Sequence, residues 1–270
     1  GSRGLDAARR AIADAGIDAD EIGLIVLGTA TPEKVFPSTA WIMQRQLGMK
    51  GCPAFDVNAA CCGFLYAVDV ANRFVTTGGA NKALVIGSET LSRVTNWEDR
   101  GTAVLFGDGA GAVVLEASDE AGVLSTHIHA NGEYEDLLQI RQGVSIGYDI
   151  TRKGEAFIEM NGNAVFKRAV ATFDSIARET VDDLDGHLDD IDWFIPHQAN
   201  MRIIKAAARK IGLPMERVIA TVDEHANTSG ASIPLALDLA VKDGRVKRGD
   251  TLLMAAFGAG FTWGSAMIRF

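Results

Sequence analysis

Apolar residues recur along this chain in two rhythms. Short unbroken runs rich in Val, Ile and Leu at 24–27, 83–86, 112–115, 193–195 and 252–256 read as buried strands. Between them, apolar positions return every three to four residues at 5–15, 38–47, 63–77, 164–181, 201–211 and 233–242, which predicts helices. In the third of these, Phe64, Val68, Ala71 and Val75 form a stripe, Leu65, Ala67 and Phe74 widen it, and Gly78-Gly79 ends it. Strands alternating with helices predict an α/β protein. No low-complexity linker divides the chain, so the boundary between halves is read in the turn-rich stretch 131–154, giving 1–150 and 151–270.

A faint internal repeat supports two halves. Gly23-Leu24-Ile25-Val26, Ala54-Phe55-Asp56, Cys61-Cys62-Gly63 and Lys82-Ala83-Leu84-Val85 have counterparts in Asp192-Trp193-Phe194-Ile195, Ala220-Thr221-Val222-Asp223, Thr228-Ser229-Gly230 and Asp250-Thr251-Leu252-Leu253. Two similar halves packed together would bring both strand-to-helix junctions toward one centre. Cys61 sits at the first junction, in the expected first helical turn. Unpaired backbone N–H groups and the helix dipole stabilise a thiolate there and can lower its pKa from about 8.5 to roughly 3.5–7.5. The competing reading is a buried cysteine acting as a small hydrophobe.

Composition narrows the function. The chain has 270 residues, 47% hydrophobic and 23% charged, enough for one substantial core or two smaller fused ones. No apolar run reaches the roughly 20 residues of a membrane span and no signal peptide is read at the start, so a cytoplasmic location is expected. Three cysteines, two of them adjacent, make neither a disulfide framework nor a metal site, and none is expected. A formal net charge of -9 argues against nucleic acid as the main partner. Arg202, Lys205 and Arg209 nevertheless share one helix face, with Lys210 beside them.

Five motifs in order carry a resemblance: Asp56 to Phe64 around Cys61, Arg100-Gly101-Thr102 leading to Phe106-Gly107-Asp108-Gly109, Pro196-His197-Gln198-Ala199-Asn200, Asn227-Thr228-Ser229, and Phe257-Gly258-Ala259-Gly260-Phe261. Together they make the chain, from about Leu5 to its end, resemble the β-ketoacyl-acyl carrier protein synthase III family, the initiating condensing enzymes of bacterial fatty acid synthesis. The resemblance implies a thiolase fold, two similar α/β halves packed in five layers (αβαβα), and a homodimer.

It also implies roles. Cys61 takes an acyl group from a short acyl-CoA such as acetyl-CoA, with no cofactor, while His197 and Asn227 stabilise the enolate formed when malonyl-acyl carrier protein loses CO2. The backbone N–H groups of Cys61 and Ala259 form the acyl oxyanion hole. Arg100, Met160, Gly162, Asn200 and Arg202 line the CoA tunnel, and Phe36 reaches the acyl pocket of the second subunit. Lys167, Arg202, Arg209 and Lys210 face the acidic acyl carrier protein. Cys62 reads as packing, Cys52 as a strand residue without a role, and His127, His129, His187 and His225 as structural.

One departure stands out. The family's preceding stretch, with a strand and a Trp and Arg pair against the CoA nucleotide, has no equivalent after Gly1-Ser2, which reads as a cloning scar; an exposed sheet edge is expected. Two alternatives remain: a Cys-His-Asn relative serving secondary metabolism or head-to-head acyl condensation, and a non-catalytic protein that binds acyl carrier protein.

Overall fold

A computed structural model describes residues 2–147, 153 and 156–270. Four strands form the first sheet: β1 (Leu24–Gly28), β2 (Ala54–Val57), β3 (Lys82–Thr90) and β4 (Asp108–Glu116), in the order β2-β1-β3-β4. β1 runs parallel to β2 and β3, with Val26 opposite Phe55 and Val85, while β4 is antiparallel to β3. The second sheet has the order β5-β10-β9-β8, from β5 (Val123–Ala130), β8 (Trp193–Pro196), β9 (Thr251–Gly258) and β10 (Thr262–Arg269). β8 is parallel to β9, and Phe194 bridges in parallel to Val218. A two-stranded ribbon pairs β6 (Leu138–Ile140), inside the stretch read as turn-rich, with β7 (Ile158–Met160), just after it.

The helices are α1 (Ser2–Asp14), α2 (Thr39–Gln46), α3 (Gly63–Thr76), α4 (Gly162–Asp182), α5 (Met201–Ile211), the single turn α6 (Val222–His225) and α7 (Ser232–Lys242). Strand alternation sorts them into layers. On β1, Leu24 and Val26 join Phe64, Leu65 and Val68 of α3 and Ile233 and Leu237 of α7, whereas Ile25 and Leu27 meet Ala8 of α1 and Met43 of α2. On β9, Leu252 and Met254 face that same α3/α7 layer, and Leu253, Ala255 and Phe257 face Phe173 of α4 and Ile204 of α5. The stack is therefore α1/α2, first sheet, α3/α7, second sheet, α4/α5, the five-layered thiolase arrangement. Both central strands are covered on two faces, which is why they read as continuous apolar runs.

The sheets do not divide where the sequence was expected to. β5 precedes residue 150 yet pairs with β10, and the expected boundary itself falls outside the described residues. β5 and β10 were missed as strands because half-buried positions and small residues such as Gly264, Ser265 and Ala266 mask their alternation. β2 and β4 are the edges of the first sheet, and among the described residues no strand adds to the outer side of either.

Candidate active site

The two halves meet at a pair of strand-to-helix elbows. In the first, Ala60 takes a left-handed φ of 46°, residues 60–62 make a 3-10 turn, and α3 starts at Gly63. In the second, Ser229 takes φ 50°, residues 229–231 make the same turn, and α7 starts at Ser232. Backbone geometry thus pairs Cys61 with Gly230, two positions on from the Thr228 expected from the repeat. The elbows touch: a Cβ on Gly230 would lie 3.4 Å from the Ala60 carbonyl oxygen, and one on Gly87 of β3 would strike the Gly230 carbonyl oxygen. The end of β9 closes the ring, because a Cβ on Gly258 would lie 2.8 Å from the Cys61 backbone nitrogen. Only glycine permits that approach.

Cys61 is 9% exposed, His197 2% and Asn227 7%. The expected lowering of the thiol pKa does not hold. Burial pushes the Cys61 thiol up to about 12, hydrogen bonding to Ser229 opposes the rise, and the nearby Glu89 carboxylate adds to it. Desolvation exceeds what one helix end supplies, so the resting sulfur is protonated. Burial likewise lowers His197 to about 4, leaving a neutral imidazole.

His197 follows directly on β8, where its N–H donates to the Ala255 carbonyl (2.8 Å). The side chain of Gln198, fully buried, clamps this corner by donating to the carbonyls of Pro196 (2.7 Å) and Ile219 (3.1 Å) and accepting from Thr221 N–H (2.8 Å). Ser232 Oγ accepts from Gln198 N–H (3.2 Å) and lies 2.7 Å from His197 Nδ1. With the Ser232 hydroxyl donating to Nδ1, the ring proton of the neutral imidazole sits on Nε2. Asn227 is fixed in a matching way: Oδ1 accepts Ser229 N–H (2.9 Å), leaving the amino group as a donor. Its backbone pairs with the preceding segment, donating to Leu105 O (2.9 Å) and accepting from Gly107 N–H (2.9 Å).

The amides of Cys61 and Ala259 make no turn or loop hydrogen bond to a backbone carbonyl among the described residues, and the Cys61 amide points toward its own sulfur. Cys62, fully buried at the N-cap of α3, is 3.3 Å from the Thr262 carbonyl through its sulfur, while Cys52 lies in a bend before β2 and not in the strand expected. His127 and His129 face Glu179 and Asp183 away from this centre.

The outlying positions fall into two groups. Ile158 N–H donates to Val94 O (2.8 Å), which sets β7, with Met160, beside the segment that carries exposed Arg100; Gly162 then opens α4. Asn200 caps α5 by accepting Ile203 N–H (2.9 Å), and Arg202 stacks 5.5 Å over Phe166 of α4. Lys167 on α4 and Arg202, Arg209 and Lys210 on α5 are exposed on two helices joined by Lys210 to Asp174 (3.9 Å). Phe36 is 82% exposed, next to exposed Val35 and Trp41. Sequence reasoning missed Glu89, Ser229, Gln198 and Ser232. Gln198 and Ser229 lie within motifs already singled out but without a role, and Glu89 is a charge ending the apolar run of β3.

Known proteins share this arrangement. Residues 55–132 match the profile described as 3-Oxoacyl-[acyl-carrier-protein (ACP)] synthase III, and residues 182–270 match that of its C-terminal part. The chain is 60% identical over 264 residues to a β-ketoacyl-[acyl-carrier-protein] synthase III of Thioalkalivibrio sulfidiphilus, covering 98% of this chain and 82% of that one. A Xanthomonas campestris protein of the same name is 56% identical over 266 residues, with 98% and 81% covered. The crystal structure of 3-oxoacyl-[acyl-carrier-protein] synthase III from Aquifex aeolicus superposes with a TM-score of 0.93 at 44% identity, over 99% of this chain and 83% of that one. With likeness extending over nearly its whole length, this chain belongs to the β-ketoacyl-acyl carrier protein synthase III family.

Proposed function

We propose that the chain joins a short acyl-CoA, acetyl-CoA foremost, to malonyl-acyl carrier protein, giving 3-oxoacyl-acyl carrier protein, CoA and CO2. The observation that carries this reading is the orientation of the two donors. Asn227 has its oxygen engaged by Ser229, which leaves its amino group as a donor, and His197, with Nδ1 accepting from Ser232, presents Nε2–H as a second. Two neutral donors suit an enolate oxygen and leave a hydrolytic water unactivated.

In the first step the Cys61 sulfur attacks the acyl-CoA carbonyl, and the carbon–sulfur bond to CoA breaks. The proton of the resting thiol passes to the departing CoA sulfur, so no net charge is left in the buried site. In the second step malonyl-acyl carrier protein loses CO2, and the electron pair moves onto the thioester oxygen facing His197 Nε2–H and Asn227 Nδ2–H. The carbanion attacks the acyl carbonyl, whose oxygen is held by the Cys61 and Ala259 amides; the Cys61 sulfur leaves and takes one proton from solvent. No resident cofactor is required. Arg100, Met160, Gly162, Asn200 and Arg202 serve the CoA arm, and the basic face of α4 and α5 serves the acidic carrier protein. Exposed Val35, Phe36 and Trp41 supply an apolar surface for a second copy of the chain, with Phe36 closing its acyl pocket.

The test is mass spectrometry after mixing with acetyl-CoA, followed by addition of malonyl-acyl carrier protein. An acetyl adduct on the Cys61 peptide that disappears as 3-oxoacyl product forms is the expected result. A chain that gains no acyl mass on Cys61, or carries it without turning over malonyl thioester, does not perform this reaction.

A further inference from the structure

Glu89 stands one step behind the reacting groups, and the chemistry above does not use it. It is 1% exposed at the end of β3, where a carboxylate persists only if its neighbours satisfy it. Oε1 accepts from Ala30 N–H (3.0 Å) and from the Ser229 hydroxyl (3.2 Å); Oε2 accepts from the hydroxyls of Thr31 (2.5 Å) and Thr29 (3.4 Å). The threonine protons are directed at it, since Thr31 Oγ1 itself accepts Thr90 N–H (2.9 Å) and Thr29 Oγ1 accepts Thr31 N–H (3.1 Å). Burial raises the Glu89 carboxyl to about 7, and the cage of donors opposes that rise by satisfying the ionised, acceptor-only form; an amide in its place sets donor against donor.

Ser229 is the one member of that cage from the second half of the molecule. Its φ of 50° is a conformation that costs a non-glycine residue about 1–3 kcal/mol and persists where surrounding contacts enforce it. Its hydroxyl donates to Glu89 Oε1 and has the Cys61 sulfur as its other neighbour, and its N–H holds Asn227 Oδ1. We propose that Glu89 is a positioning residue for the condensation: by gripping the Ser229 hydroxyl it maintains the left-handed turn, and the Ser229 amide then aims the Asn227 amino group at the enolate oxygen. The inference rests on the role given to Asn227 above.

Glu89→Gln tests it. Malonyl-acyl carrier protein decarboxylation falls on the order of 10- to 100-fold through misplacement of one donor, with KM little changed and Cys61 acylation by acetyl-CoA retained. In an Asn227→Ala background the same change adds no further loss, because the group it positions is gone. An equal loss in both backgrounds overturns the proposal. Ser229→Ala keeps the N–H, lacks the hydroxyl and runs the same cycle if Glu89→Gln does not fold. A readout independent of turnover is the 15N NMR signal of the Asn227 side-chain amide, assigned by its loss in Asn227→Ala. It shifts in Glu89→Gln or Ser229→Ala if Glu89 orients it, and an unmoved signal overturns the proposal. Should Asn227→Ala leave malonyl turnover intact, the reading of the reaction fails while the NMR arm still decides the role of Glu89.

Discussion

The two elbows use one backbone device for opposite ends. Each has a non-glycine residue at positive φ, a 3-10 turn and a helix packed in the central layer. The first carries a buried sulfur at its apex; the second has Gly230 at that place and instead presents Asn227 from the residues before the turn. A duplicated frame has thus kept its geometry while dividing the chemistry, with the nucleophile on one side and an enolate donor on the other.

Substitutions should separate these duties. Cys61→Ala is expected to abolish acyl uptake from acetyl-CoA, read as loss of the adduct by mass spectrometry, with the fold retained. His197→Ala or Asn227→Ala should leave the adduct in place and slow malonyl decarboxylation by about 10²–10³, the usual effect of removing one oxyanion donor. Comparable losses in both steps from any of the three would erase the distinction between the elbows.

Smaller changes probe the shared backbone. Ala60→Gly relieves the positive φ and touches no side-chain bond, so thermal denaturation should show a gain of about 1 kcal/mol. Ser229→Gly relieves the same strain but loses the hydroxyl bond to Glu89, and should give a smaller gain or a net loss. Equal gains at both sites would mean that the second elbow is no more constrained than the first.

The finest comparison uses pH. His197 is lowered from 6.5 to about 4, so its neutral burial contributes stability above pH 6.5 that is lost as pH falls toward 4. Cys61 is raised from 9 to about 12, so its contribution is present below pH 9 and lost as pH rises toward 12. His197→Gln should flatten the acid limb of a denaturation profile and Cys61→Ala the alkaline limb, each leaving the other intact.

Much of this was legible in the chain. The helices and the buried strands β1, β3, β8 and β9 announced themselves because a covered strand is apolar at every position and a helix that keeps one side polar is periodic. Cys61, His197 and Asn227 were legible because their motifs are local. What the sequence hid was contributed across distance. Ser232 meets His197 from 35 residues away, and Glu89 meets Ser229 from 140, pairings that no short window contains. The thiol pKa was misjudged for a related reason: the helix end is visible locally, whereas the burial that outweighs it is assembled from both halves.

The pairing of Asn227 with Leu105 and Gly107 has a mechanical consequence. Arg100 rides on the segment that ends at this two-bond hinge pin, so a displacement of the segment that reaches Leu105 also tugs the strand of chain holding the carboxamide.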